Sequence, residues 1–536
     1  MDNLGLYFKI APIAAVLAAV LFIRLRRRDP LIASIRGPAS PSKLIVQFLG
    51  NMTQLFLAHN YGQWEYKWLK QFGSVYRVKA CFGEDRLIVA DPQAIKHILN
   101  TQTFMHPPRI LRTGALVFGE SLVSFIGKEH RRLRAGMSNG FSPNAVRSFL
   151  PIIIETAKKV AQEWKVPSAP GSSNTVNISE AIDHATLDIT SEGGQSCAFQ
   201  WAGCYLFRIA LLGMPINTVQ NPNQPIAKTN ILDFFVPYIP EFIFRHLLSL
   251  PMDSMRAVSK FVNVTQKIID KKTQEGNATG FEKDEHNMLN MMGMLEVQTL
   301  ELYKISRREA INQIRILLIA GQDPPSVLLA WTLYHLAKYP EFQSKVREEI
   351  RAAREAADGQ DLEYDNLTYL TAILKETLRV FPPNPITERV ATEDSVLPLA
   401  FEVTTSTGER LKQIPIRKGQ SSMVAMGSYN RLDSVWGPDA EQFRPERWLE
   451  ADTDKRPALG PATPPMSFIG GQRACLGWRF GLLMAQAILC ELLSEFTFSL
   501  PKNSSVRARY WGTEELPVTP EGVKGVMVSV TRICLL

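Results

Sequence analysis

No C-x-x-C pair or other metal-ligand spacing occurs among the six cysteines, Cys81, Cys197, Cys204, Cys475, Cys490 and Cys534. That excludes a disulfide framework and a zinc ribbon, and it fits a reducing compartment. Gly/Ser-rich linkers, low-complexity tracts and internal repeats are missing too, so one large unit is expected rather than a string of modules. No flavin or nicotinamide fingerprint is present. The chain also lacks a concentrated basic face. Its net charge of +8 comes from lysines and arginines spread along 536 residues, which makes nucleic acid the weakest reading and leaves an anionic membrane or an acidic partner. With 45% hydrophobic and 21% charged residues, the composition is that of a globular protein with a large core.

One cationic cluster does stand out. Residues 4–23 are apolar except for Lys9, and Arg24, Arg26, Arg27 and Arg28 follow at once. About twenty helical residues cross a bilayer, and arginines after the apolar run, rather than before it, favour an uncleaved signal-anchor over a cleaved signal peptide. A transmembrane helix at 4–23 is therefore expected, then a basic, proline-containing linker over 24–45 and a catalytic domain over 46–536. The positive-inside bias puts that domain on the cytoplasmic side of the endoplasmic reticulum membrane.

Farther along, residues 74–79 and 86–90 read as a hairpin, and Asp91-Pro92 starts a helix ending near Asn100. Residues 104–126 read as an irregular apolar connection. A long helix over 305–338 is interrupted at Ala320-Gly321-Gln322-Asp323-Pro324-Pro325-Ser326, and 191–230 fits no pattern.

The densest chemical signal is Phe468-Ile469-Gly470-Gly471-Gln472-Arg473-Ala474-Cys475-Leu476-Gly477, running into a helical pattern over 478–495. A thiolate that ligates iron must be held facing the metal. Gly471 and Gly477 let the backbone turn around Cys475, Arg473 supplies a cation for a haem propionate, and Phe468 shields the sulfur. The other cysteines read as small buried hydrophobes.

This stretch resembles the F-x-x-G-x-R-x-C-x-G signature of the cytochrome P-450 superfamily. The resemblance implies a mainly α fold with small β-sheets (α+β), one large domain, and haem b on the Cys475 thiolate. His130 and Arg134 match W-x-x-x-R, with histidine in place of tryptophan, and would meet a propionate as Arg389 would. Ala320, Gly321 and Asp323 match the oxygen-binding groove. Pro324 and Pro325 take the hydroxyl positions there, leaving Asp323 and Ser326 as the catalytic candidates. Glu376, Arg379 and Arg447 match the E-x-x-R and P-E-R motifs, a structural network behind the cysteine loop. Leu116, Val117, Phe118, Ile386 and Thr387 are candidate pocket walls.

By the same resemblance the reaction inserts oxygen from O2 into a lipophilic small molecule, with electrons from a separate NADPH-cytochrome P450 reductase. Secondary metabolism or xenobiotic oxidation is the expected setting. The double proline keeps two alternatives open: rearrangement or dehydration without oxygen insertion, and haem binding without turnover.

Overall fold

Val75–Lys79 (β1) and Asp85–Val89 (β2) pair antiparallel from Val75↔Val89 to Lys79↔Asp85, as the alternation predicts. The computed structural model describes residues 29–41, 49–164, 172–191, 303–450, 456–461, 465–502, 504–511 and 513–533. The expected anchor at 4–23 lies outside these residues, as does the patternless run after Ser191.

Asp91 closes the hairpin and begins α1 (Pro92–Asn100), its carboxylate accepting from Gln93 and Ala94 N–H at 3.0 and 3.1 Å. The same carboxylate accepts from the N–H groups of Ala400 and Phe401, which ties the helix to a distant strand. After the short strand β3 (Phe104–Met105) comes α2 (Pro108–Phe118). Here the structure departs from the irregular connection expected over 104–126. Pro108 sits in the first turn, where its missing N–H costs no hydrogen bond, and Gly119 at φ 75° ends the helix. The prolines that look like breakers are a helix start.

Further on come α3 (Gly127–Ser138), α4 (Leu150–Glu163) and α5 (Ile178–Ser191). The expected long helix is two, α6 (Arg307–Ala320) and α7 (Asp323–Lys338), broken at Gly321-Gln322 because Pro324 and Pro325 fit only a first turn. The span Arg308–Lys338 is long and apolar enough to cross a membrane, yet 83% of its most apolar window is buried in the protein. It is the core. Around it pack α8 (Pro340–Ala357), α9 (Thr368–Val380) and α10 (Trp478–Glu495), with Leu329, Leu333, Ile373, Ile488 and Leu489 fully buried between them.

The largest sheet runs β1-β2-β5-β4-β3, where β4 is Ile386–Ala391 and β5 is Ser421–Ala425. Smaller sheets complete an α+β architecture in which helices dominate. Residues 30–37, expected within the linker, pack on this sheet instead. Ile32 and Ile35 are buried, and Arg77 N–H donates to Arg36 O at 3.0 Å. Their apolar side chains draw them onto the body, so the folded unit begins before residue 46.

Candidate active site

The loop from Met466 to Gly477 is built by close backbone approach. Gly471 has φ 71°, and a Cβ there would lie 2.1 Å from Leu99 O; at Gly470 it would lie 1.8 Å from Leu459 O. Neither position admits a side chain. Ile469 takes φ 52°, a conformation that costs a β-branched residue on the order of 1–3 kcal/mol. Cys475 N–H donates to Phe468 O at 2.9 Å and closes the loop, placing the thiol just before the first turn of α10.

Cys475 is accessible, and what it opens onto is an internal cavity of about 680 Å³. Burial pushes its thiol pKa up, while the Gly477 N–H and the Arg134 guanidinium pull the other way. The cavity wall is mostly apolar: Phe118, Leu122, Met137, Phe141, Ile316, Leu328 and Phe480 contribute, along with Ala320, Gly321, Pro324 and Pro325 at the break between α6 and α7. Phe468, Gly477, Ile386 and Thr387 line it as well. Val117 does not. It packs in the core beside Trp331 and Trp511.

Beside this cavity the fold collects cations. Arg389, 3% exposed, donates to His106 Nδ1 at 3.1 Å and to Thr387 Oγ1 at 2.8 Å. Burial, then repulsion from Arg473, brings its pKa down to about 9. Arg473 donates to the carbonyls of Leu122 and Phe125, and burial and Arg134 bring it down to about 10. His130, on α3 one turn from Arg134, is buried, and burial followed by Arg473, Arg134 and Arg131 lowers it to about 4. His106 is held well below the ordinary imidazole value by burial, then by Arg389 and Arg473. Both imidazoles are neutral donors at pH 7.

Among the described residues no carboxylate pairs with Arg134, Arg389 or Arg473. Buried like charges depress one another unless an anion joins them. An apolar cavity, a thiol open to it and clustered guanidiniums without carboxylates fit a flat, apolar group carrying two propionates. The haem expectation passes this test. His106 was missed in sequence, where nothing in Phe-Met-His-Pro-Pro marks it.

Asp323 and Ser326 are placed differently from the expectation. Both are buried, and neither lines the cavity. Ser326 Oγ donates to Asp183 Oδ1 at 2.5 Å, and Asp183 also pairs with Lys524 at 2.6 Å. The reason is helical phase: Pro324, Pro325 and Leu328 face the cavity, which turns the intervening Ser326 toward α5.

Behind the loop, Glu376 and Arg379 form a bidentate pair at 2.8 Å, and Arg447 Nε joins Glu376 at 3.0 Å, all three fully buried. Trp448 Nε1 and Arg444 N–H complete the shell of the carboxylate. Arg379 also donates to Asn430 O and Gln442 O, and Arg447 to Asp439 O. Burial alone would raise the Glu376 pKa, but Arg379 and Arg447 hold it below the ordinary carboxylate value.

A second buried acid lies close by. Glu515 N–H donates to Pro383 O at 2.9 Å, its side chain is 1% exposed, and its Oε2 has no partner among the described residues. Burial, with Glu65 adding and Arg431 opposing, raises it to about 8. The folded protein thus holds a proton that the unfolded chain releases near pH 4.5. This contribution is fully present below pH 4.5 and is lost as pH rises through 8, with a slope approaching about 1.4 kcal/mol per unit. Glu515→Gln is expected to flatten this slope and to raise the thermal midpoint more at pH 8 than at pH 5. Melting both proteins at the two pH values checks it.

Comparison with known proteins agrees with this geometry. The family model described as Cytochrome P450 matches residues 38–524. Cytochrome P450 monooxygenase claP of Ampulloclitocybe clavipes is 29% identical over 490 residues, 89% of this chain and 88% of the relative. Cytochrome P450 monooxygenase claO of the same organism is 30% identical, covering 87% and 86%. Cytochrome P450 monooxygenase 205 of Postia placenta is 28% identical, covering 91% and 89%. The match over nearly the whole folded body means that this chain belongs to the cytochrome P450 family and is an oxidoreductase of the monooxygenase type.

Proposed function

We propose that the protein inserts one oxygen atom from O2 into a lipophilic small molecule, in secondary metabolism or xenobiotic oxidation, taking electrons from a separate NADPH-cytochrome P450 reductase. The observation that carries this reading is the cavity that brings the Cys475 thiol to an apolar wall, with His106 lining it and the guanidiniums of Arg389, Arg473 and Arg134 close by, none of them in a carboxylate pair among the described residues.

In this reading haem b would be held through its iron by the Cys475 thiolate. Arg389, Arg473 and Arg134 would hold the propionates, with His106 and His130 as neutral partners beside them. Bound haem supplies activation of dioxygen. The chain does the rest. Apolar side chains exclude water and hold the substrate, and Phe468 shields the sulfur. Pro324 and Pro325 lack the N–H groups that would engage the carbonyls of Ala320 and Gly321, which leaves those carbonyls open to water or a ligand at the cavity wall. Asp323 is the acid of that break. A helix at 4–23 anchors the domain to the endoplasmic reticulum membrane, with the arginines after it on the cytoplasmic side.

Co-expression with a reductase and untargeted product profiling tests the reading: consumption of NADPH and O2 is expected to match a hydroxylated product. Ser326→Ala is expected to keep turnover within about three-fold, because its hydroxyl is committed to Asp183. A group that moved the catalytic proton would cost roughly 100-fold or more. The prolines at the hydroxyl positions of the cavity wall favour a second reading, rearrangement or dehydration, which would give product without NADPH consumption.

A further inference from the structure

The apolar cavity has one charged wall that haem binding does not use. Arg86 on β2, Glu388 on β4 and Arg109 on α2 all line it. Glu388, 7% exposed, takes Arg86 at 3.3 Å on one oxygen and Arg109 on the other. Arg86 is further occupied by Glu84, also at 3.3 Å. Arg109 differs: it engages Glu388 through one terminal nitrogen, and among the described residues its remaining N–H donors have no acceptor. Its field acts on Cys81 and Tyr510, two further wall residues, whereas the side-chain charge acting on Cys475 is Arg134. The charged wall and the sulfur line the same cavity.

Glu388 on the wall and Glu84 behind Arg86 offset the two guanidiniums. What the wall offers is directed donors on a guanidinium that Glu388 fixes in place. A purely hydrocarbon ligand would leave those N–H groups desolvated and unpaired, which is unfavourable. An acceptor oxygen on the ligand satisfies them.

Resting on the monooxygenase reading above, we infer that the substrate is an amphipathic lipophile whose acceptor oxygen, a carboxylate or a neutral carbonyl or hydroxyl, is held by Arg109 while its apolar part reaches the Cys475 side. Arg109 is thus a specificity-determining residue, and Glu388 positions it.

Equilibrium dialysis of the haem-loaded protein against dodecanoic acid, 2-dodecanone and dodecane tests this by binding alone. The readout is the affinity ratio of wild type to Arg109→Leu for each probe, which cancels the probes' different solubilities. Loss of about 10- to 100-fold is expected for an oxygenated probe, with dodecane changed less than about two-fold. Loss for the acid alone identifies an anionic head group, and loss for both identifies an acceptor oxygen of either kind. Equal ratios for all three probes would overturn the inference and leave the three charges as a clasp between β2, β4 and α2. Arg109→Gln, which keeps the stem and an amide donor, is read in the same way should Arg109→Leu fail to take up haem. Failure of the monooxygenase reading would appear elsewhere, as an unchanged spectrum in Cys475→Ser protein.

Discussion

Glu376→Gln is expected to yield protein that fails to take up haem and collects in the insoluble fraction. The carboxylate is fully buried, and it is shared by Arg379 at 2.8 Å and Arg447 at 3.0 Å. Neutralising it takes the carboxylate away from the fully buried Arg379 guanidinium and leaves Arg447 to pair with Asp439 alone of the two acids it now shares. Removing one member of a buried ion pair typically costs about 3–5 kcal/mol, against a total folding stability of roughly 5–15 kcal/mol. The effect is larger here because both arginines carry backbone as well as charge. Arg379 ties down Asn430 and Gln442, Arg447 ties down Asp439, and Asn430 in turn accepts from Met466 N–H at the start of the cysteine loop. Acid has the same direction of effect. The Glu376 pKa lies below its ordinary value, so its contribution is present above that value and lost as pH falls through the depressed one. Soluble yield and haem content of Glu376→Gln beside wild type give the result, and near-normal haem content in the variant would remove the network from its structural role.

That network was legible in the sequence because each of its parts is local. Glu376 and Arg379 stand one turn apart on a helix, and Arg447 sits in a short motif with fixed neighbours. The cysteine loop was legible for the same reason, its glycines being forced by backbone contacts at 1.8 and 2.1 Å. The hairpin and the Asp91 cap followed from alternation and capping chemistry. What escaped is non-local or depends on phase. Arg389 meets His106 across 283 positions and Arg109 meets Glu388 across 279, and no spacing rule reaches that far. Ser326 looked like a substitute hydroxyl until the two prolines restarted the helix and turned it toward Asp183. Over 104–126, Pro107-Pro108 carried two meanings, breaker and helix start, and only packing of Val117 and Phe118 against the core selects the second.

Cys475→Ser has the largest expected effect on chemistry. Serine keeps the size and the loop hydrogen bond to Phe468 O, since the backbone N–H makes it, so the fold is expected to survive. The serine hydroxyl has no sulfur and stays un-ionised at accessible pH, even beside the Gly477 N–H and Arg134 that favour the Cys475 thiolate. The measurement is the absorption spectrum of reduced, carbon monoxide-treated protein, wild type beside Cys475→Ser, at matched protein concentration. Ligation by Cys475 requires the red-shifted band of thiolate-bound haem in the wild type and its disappearance in the variant. An unchanged band in Cys475→Ser protein would contradict it, and with it the assignment of the cavity as a haem-thiolate site.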